Sequence, residues 1–181
     1  MNVAVPDDRR PLRELPTIDV RDGGPVAHAT ACRDQARAVR DACLGWLPAG
    51  TTLAAAADPL VRGWMARARS PYVEDIAGVA EVLGVPGAWT LHAAYLFGCT
   101  ALADEDADGP RLRRTLDWPF PGLGALAAIA RQRGHAGEFF NVTWPGFVGV
   151  LTAMAPGRFA AAINQAPMRR LTVSKHLAWA D

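Results

Sequence analysis

Cys99 is the residue whose place in the sequence most directly suggests chemistry. A cysteine attacks an amide carbonyl as a thiolate or beside a base, because the free thiol is mostly protonated at neutral pH. None of the four histidines lies close to Cys99 in the sequence, so a Cys/His pair is neither shown nor excluded. Arg114 and Asp117 follow it by fifteen and eighteen positions. A turn between the two segments would bring a guanidinium and a carboxylate back to the thiol.

Two strands joined by an acidic turn are predicted to position these side chains. The strands run from Thr100 to Ala103 and from Arg111 to Trp118, and the turn between them carries four acidic residues. This acidic cluster is interpreted as a solvated turn, because its spacing does not match a calcium-binding loop. The sequence therefore predicts neither a metal nor a cofactor.

The segment before Cys99 is predicted to be helical behind an extended arm at residues 1–24. Ser70 is expected to cap the third helix, Pro71 to occupy its first position and Gly84 to end it. The four helices are predicted at Pro25 to Leu47, Leu53 to Arg69, Ser70 to Leu83 and Ala88 to Phe97.

The segment after the hairpin is predicted to be mainly a sheet built from hairpins, preceded by a short helix. The fold class is therefore α+β, with a helical segment at 1–98 and a strand-rich segment at 99–181. The helix is predicted at Gly122 to Arg133, and the strands at Glu138 to Trp144, Phe147 to Ala153 and Arg158 to Asn164.

Composition narrows the classes of function. The chain has 181 residues, enough to enclose a core, and a formal net charge of +1 without a basic stripe, which argues against nucleic acid as a partner. We expect no transmembrane segment and, without an export signal, a cytoplasmic protein. The three cysteines support neither disulfides nor zinc, and Cys32 and Cys43 are interpreted as buried packing residues.

Three sequence blocks around Cys99 resemble one family of hydrolases. The first is Gly98-Cys99-Thr100-Ala101, the second, after the acidic turn, is Arg114-Thr115-Leu116-Asp117-Trp118, and the third runs from Thr143-Trp144-Pro145-Gly146-Phe147 to Asn164. Together they resemble acid ceramidase and the acid amidase of N-acylethanolamines, which are N-terminal-nucleophile (Ntn) hydrolases related to choloylglycine (bile-salt) hydrolases. The resemblance covers roughly residues 70 to 168 and implies part of an αββα sandwich of mainly antiparallel strands.

The resemblance implies an autoprocessed cysteine amidase. Cys99 would attack the carbonyl of Gly98 and, after hydrolysis, become the N-terminus of a second subunit. The freed amine, with an ordinary pKa near 8, would then serve as the base. Asp117 would hold this amine, Arg114 would favour the thiolate, and Asn164 would contribute to the oxyanion hole.

The substrates implied are linear non-peptide amides, with N-acyl amides carrying an apolar chain as the favoured class. Trp118, Trp144 and Phe147 would then line an acyl pocket, although such aromatic residues also occur as ordinary core. Arg114 and Asp117 also fit an exposed ion pair, and Asn164 also fits a turn residue that ends a strand.

The chain also departs from the family pattern. Ala101 and Thr115 stand where Ser and Asn are common, and Gln165-Ala166 where Glu and Arg are common. Family members continue further, so we expect a fragment, a truncated gene product, or a chain completed by a partner chain or second copy. The rival hypothesis is a non-catalytic module that binds lipid or a partner. A papain-like enzyme is disfavoured because the sequence around Cys99 lacks that family's motif.

Overall fold

The computed structural model describes residues 13–93, 98–117, 120–135 and 137–164. The fold is α+β, with helices followed by strands, which confirms the predicted class and order. The helices are α1 (Gly24–Ala31), α2 (Arg33–Leu44), α3 (Gly50–Arg67), α4 (Val73–Leu83), α5 (Ala88–Ala93) and a 3₁₀ helix (Leu123–Leu126). The strands are β1 (Thr17–Asp19), β2 (Gly98–Asp106), β3 (Gly109–Asp117), β4 (Ala128–Gly134), β5 (Gly137–Thr143), β6 (Thr152–Ala155) and β7 (Phe159–Ala162).

The strands form a five-stranded sheet and a separate hairpin. The order in the larger sheet is β1-β4-β5-β6-β7, with β1 parallel to β4 and the other pairs antiparallel. In the hairpin, β2 pairs with β3 from Gly98 opposite Asp117 to Asp106 opposite Gly109. Among the described residues, β2 and β3 form a two-stranded sheet of their own.

The arm predicted as extended at residues 1–24 contributes a strand, β1, so the segment before residue 98 is not helical throughout as predicted. β1 pairs with β4 from Thr17 opposite Ile129 to Asp19 opposite Arg131, and the Val20 amide then donates to the Arg131 carbonyl at 3.0 Å. The two halves of the sequence consequently share one sheet.

The helices match the predicted positions with shifted ends. The first predicted helix is two helices, α1 and α2, which meet at Cys32. Helix α4 begins at Val73, later than predicted, while the Ser70 hydroxyl accepts a hydrogen bond from the Tyr72 amide at 3.3 Å. It ends at Gly84, whose φ of 64° lies in the left-handed region, as the sequence predicted. The last predicted helix is described only to Ala93, as α5.

The helix predicted from Gly122 to Arg133 was wrong. Only one 3₁₀ turn forms there, and β4 follows it. Ala128 and Ala130 are fully buried while Ile129 between them is partly exposed, which is the two-residue period of a strand. Alanine favours a helix intrinsically, but pairing with β1 and β5 on both sides decides the outcome here.

The acidic turn is shorter than predicted. Asp104, Glu105 and Asp106 belong to β2, and Ala107 and Asp108 alone connect the strands. The carboxylates of Asp104 and Asp106 pair with arginines across the hairpin, so the acidic residues serve the strand pairing. The predicted strand at Phe147 to Ala153 is likewise limited to β6, which begins at Thr152.

The two faces of the five-stranded sheet differ in burial. One face is closed: α1 contacts β4, and Ala128, Ala130, Asn141, Ala153 and Ala155 are at most 4 % exposed. The other face carries Thr152, and the hairpin reaches this face through Arg114. The strand register also places Ile129, Phe140, Val142 and Met154 on the open face.

Candidate functional site

The structure brings Cys99 and Arg114 together. Cys99 lies opposite Leu116 and Ala101 lies opposite Arg114, so the thiol and the guanidinium are diagonal neighbours on one face of the hairpin. The Nη2 of Arg114 donates to the sulfur of Cys99 at 3.1 Å. Both residues are half-buried. The contact places a fixed positive charge beside the sulfur.

Arg114 is held by acceptors on the larger sheet. Its Nη1 donates to the Thr152 hydroxyl on β6 at 2.9 Å, and its Nη2 donates to the Ile163 carbonyl just after β7 at 2.8 Å. Both acceptors are neutral, so neither cancels the positive charge beside the sulfur. Arg114 therefore fixes the hairpin to the sheet and places a charge at Cys99. No sequence pattern pointed to Thr152 or Ile163 as its partners.

Asp117 faces away from the thiol. It lies next to Leu116 on β3, and successive side chains of a strand point to opposite faces. Leu116 packs into the core, whereas Asp117 is exposed and accepts a hydrogen bond from the Thr115 hydroxyl at 3.3 Å. In the register it stands opposite Gly98, the residue whose carbonyl would be attacked. The structure thus places the carboxylate beside the expected cleavage point but not against the sulfur.

Asn164 and Trp118 are two further residues that the sequence predicted for the site. Asn164 is exposed and directly follows Ile163, whose carbonyl contacts Arg114. Trp118 lies outside the described residues. No described contact brings the Asn164 amide to the thiol.

Trp144 and Phe147 line an apolar cavity of about 70 Å³ together with Cys43 and His92. The indole nitrogen of Trp144 donates to the Leu123 carbonyl at 2.7 Å, which fixes the ring in the wall. As far as the described residues show, Cys99 and Arg114 do not belong to this wall. Leu116 links the Cys99 hairpin to the cavity indirectly, because it packs against the same core cluster as Trp144.

His92 has a structural role that the sequence did not reveal. Its Nδ1 lies 2.6 Å from the Ala88 carbonyl, and its Nε2 accepts a hydrogen bond from the Val148 amide at 2.9 Å. This pair of contacts assigns the proton to Nδ1 and requires a neutral ring. Burial lowers the pKa of His92, in agreement with that state. Its ring stacks at a tilt on Phe147, with centroids 5.8 Å apart.

Asn141 holds the loop between β5 and β6, the same loop whose Val148 amide contacts His92. Its side chain is fully buried, and its Nδ2 donates to the Gln132 side chain at 3.1 Å and to the Gly149 carbonyl at 3.0 Å. Its Oδ1 accepts from the Leu151 amide at 3.3 Å. The only sequence signal was an Asn inside an otherwise apolar strand, which is a common sign of a buried polar network.

Cys43 is buried in the cavity wall, as its interpretation as a packing residue requires. Burial raises the pKa of its thiol to about 11, and it raises the pKa of Cys32 as well. Both thiols are therefore protonated at neutral pH, unlike the thiolate that nucleophilic attack needs.

Within the described ranges no group of three or more His, Cys, Asp or Glu side chains could hold a metal ion. Among the helices that the structure describes, none has the length and apolar character needed to cross a bilayer.

Comparisons with known proteins add no family assignment. Neither the protein-family models nor the curated proteins give a match to this sequence. The resemblance to Ntn hydrolases therefore rests on the three sequence blocks alone.

Proposed function

We propose that this protein is an autoprocessed cysteine amidase that hydrolyses linear non-peptide amides, with N-acyl amides of an apolar acyl group as substrates. The observation that carries the proposal is the 3.1 Å contact from Arg114 to the sulfur of Cys99, made by a guanidinium whose other acceptors are neutral. Cys32 and Cys43 are described without such a donor, and burial raises the pKa of both. Cys99 is therefore the cysteine suited to nucleophilic attack.

The proposed maturation is an intramolecular acyl transfer. The sulfur of Cys99 attacks the carbonyl carbon of Gly98, the bond from that carbon to the Cys99 nitrogen breaks, and the thiol proton ends on the released amine. Water then cleaves the thioester, which yields a Gly98 carboxylate and a free thiol. In catalysis the new amine takes the thiol proton as the sulfur attacks the substrate carbonyl, and it then protonates the leaving amine, which leaves an acyl thioester on Cys99. Water cleaves this thioester, which releases the acid and restores the thiol.

Asp117 fits this scheme through its backbone position. It stands opposite Gly98, so removal of the Gly98–Cys99 bond would free the chain at the point that its carboxylate flanks. We propose that Asp117 holds the amine only after cleavage, when the start of β2 is free to turn. Asn164 follows the carbonyl that anchors Arg114, which makes it the proposed oxyanion donor.

The rival function, a non-catalytic module that binds a lipid or a partner, is favoured by one specific observation. Asp117 faces solvent while Arg114 ties the hairpin to the sheet, so the two residues also fit a purely structural role. Under this hypothesis Arg114 would matter for stability and not for turnover.

A turnover assay with matched variants separates the two functions. The substrates are fluorogenic N-acyl anilides with short and long apolar acyl chains, and the variants are Cys99→Ala and, as control, Cys43→Ala. We expect hydrolysis by the wild type, no hydrolysis by Cys99→Ala and retained hydrolysis by Cys43→Ala. Hydrolysis that survives Cys99→Ala would refute the proposal, and no hydrolysis by any protein would favour the binding module.

A further inference from the structure

We propose that the outward face of helix α3 binds a second copy of this chain, so that two α3 helices pack antiparallel across a two-fold axis. This face carries Leu53, Ala56, Leu60, Gly63 and Arg67, and we call it the α3 seam. Its positions are three, four, three and four residues apart, which is the spacing of side chains that face a partner helix. The inference is independent of the chemistry proposed at Cys99.

The seam lies opposite the side by which α3 packs in the protein. On the packed side Ala54 and Met65 are buried, and the Asp58 carboxylate accepts hydrogen bonds from the Gly87 and Thr90 amides. The two leucines of the seam, in contrast, are 57 % and 73 % exposed. A surface helix normally carries polar side chains toward solvent. The seam therefore has the character of a contact face that the described part of a single chain leaves open.

The distribution of charge favours the antiparallel direction. The sequence from Ala42 to Ala57 contains no charged side chain, and the seam is uncharged until its end at Arg67. A Cβ added at Gly63 would lie 3.3 Å from the Nη1 of Arg67, so this guanidinium lies along the seam itself. Parallel helices would bring the two Arg67 charges together. Antiparallel helices place them at opposite ends, where their repulsion is weakest.

The seam is complementary to itself in this direction. Leu53 and Leu60 lie equally far from the midpoint between Ala56 and Ala57. A second copy centred on that midpoint places its Leu60 beside Leu53 and its Leu53 beside Leu60. The small alanines at the centre allow the two helix axes to approach to about 8 Å. This is the reciprocal contact that a two-fold axis requires, and it is why a second copy fits the seam.

The segment before α3 extends the contact at each end. Trp46 is 54 % exposed, although one edge of its ring packs against Phe120. Trp46 and Arg67 are equally far from the same midpoint, so the Arg67 of the second copy comes level with this ring. A guanidinium over an exposed indole face is attracted to it. The charge that ends the seam thus gains a partner in the proposed dimer.

Sedimentation velocity of the whole chain tests the dimer. We expect a monomer–dimer equilibrium with a Kd on the order of 10 µM, because a single helix pair is a small interface. Leu60→Glu should weaken it at least a hundredfold, since it places a carboxylate in each half of the contact. Leu102→Glu is the matched control, because Leu102 is 54 % exposed on the hairpin and should leave the dimer unchanged. Circular dichroism verifies that both variants are folded.

Cross-linking tests the direction and the centre of the pair. Diamide, which oxidises two neighbouring thiols to a disulfide, should link two chains of Ala56→Cys efficiently. Ala55→Cys is the control, since Ala55 is exposed but points away from the seam. The wild type, which has the same three native cysteines, gives the background.

A wild type that stays monomeric at ten times the expected Kd would overturn the proposal. So would equal dimerisation of Leu60→Glu and Leu102→Glu, or equal cross-linking of Ala55→Cys and Ala56→Cys. A monomer that binds phosphatidylcholine vesicles and loses this binding in Leu60→Glu would show that lipid covers the seam instead. If Leu60→Glu fails to fold, sedimentation of the wild type and the cross-linking pair still decide the outcome.

Discussion

The β2–β3 hairpin and the loop between β5 and β6 meet in one core cluster but are supported in different ways. The loop is fixed by a hydrogen bond that Asn141 donates to Gly149, by one that His92 accepts from the Val148 amide, and by one that Trp144 donates to Leu123. The hairpin has one described side chain, Arg114, that hydrogen-bonds to the sheet, with Leu116 in the core beneath it. The loop contributes packed aromatic side chains to the core, whereas the hairpin, which is tied to the sheet by one described side chain, contains the Cys99 thiol.

Arg114 has two roles that are hard to separate: it fixes the hairpin to the sheet, and it places a positive charge beside Cys99. A two-stranded hairpin alone is marginally stable, so its position depends on what ties it to the sheet. The group that ties it is also the group that donates to Cys99. A change at Arg114 should therefore affect both stability and reactivity, whereas a change in the loop should affect stability alone.

The largest effect is expected for Asn141→Leu, at the β5 residue that holds the loop between β5 and β6. Leucine has a similar volume but leaves the Gln132 side chain, the Gly149 carbonyl and the Leu151 amide without their partner. We expect a loss of about 3–5 kcal/mol in the free energy of unfolding. Urea denaturation measures it, with the exposed Val142→Thr as a control that should change it by less than about 1 kcal/mol. Equal effects at the two positions would mean that the network does not hold the loop.

The second largest effect is expected from acid, which should lower the free energy of unfolding through two buried histidines of the helical segment. Burial lowers the pKa of His28 to about 4 and lowers that of His92, whereas both titrate near 6.5 in an unfolded chain. The unfolded state therefore binds protons first as the pH falls. The contribution of the neutral rings is complete above about pH 6.5 and is lost progressively through pH 4.

For His28 alone this loss amounts to about 3 kcal/mol at most, from 1.36 kcal/mol for each pH unit. The arginine-paired carboxylates of Asp19 and Glu138 have pKa values lowered to about 2 from ordinary values of 3.8 and 4.5, so the stability that they contribute begins to fall near pH 4.5 and is lost chiefly below pH 4. Denaturation curves between pH 7.5 and 4 measure the loss, and His28→Leu should flatten the curve. A wild-type stability that is constant over this range would contradict the assigned neutral state.

Arg114→Met should lower the stability by about 2 kcal/mol, because Thr152 and the Ile163 carbonyl lose their donor. It should also slow the reaction of Cys99 with a thiol reagent by at least tenfold, since the charge beside the sulfur is gone. The matched control is Arg113→Met, which removes a guanidinium from the opposite face of the same strand, where it pairs with Asp104. If both variants slow the reaction of Cys99 with the reagent equally, the cause is the overall positive charge of the hairpin and not the contact between Arg114 and the sulfur.

The smallest effect on folding is expected for Asp117→Asn. The side chain is exposed and its described partner is a hydroxyl at 3.3 Å, so the free energy of unfolding should change by less than about 0.5 kcal/mol. Amide turnover should nevertheless fall at least a hundredfold if Asp117 holds the new amine. A melting curve and a rate assay on the same preparation test this, and parallel losses would argue for a structural role.

The sequence predicted the hairpin because its signals were local. Strand residues flank a compact turn ending at Gly109, and the spacing from Cys99 to Arg114 follows from that turn. Gly84 was recognised for the same reason, since a helix that ends in a left-handed residue leaves a local mark.

Features that depend on distant partners were missed. Residues 128–134 became a strand because β1 and β5 pair on either side, and nothing within Gly122 to Arg133 itself shows those partners. The same holds for Arg114 with Thr152, and for His92 with the Val148 amide, which lies 56 positions further on. The orientation of Asp117 follows from strand alternation, and it was missed because closeness in sequence was taken as closeness in space.

The most direct test of the central claim is the intact mass of the purified full-length chain. We expect two polypeptides divided between Gly98 and Cys99, whose masses sum to that of the chain plus one water, and a single polypeptide for Cys99→Ala. A wild type that remains one uncut chain after prolonged incubation, with a mass identical to that expected from its sequence, would contradict it.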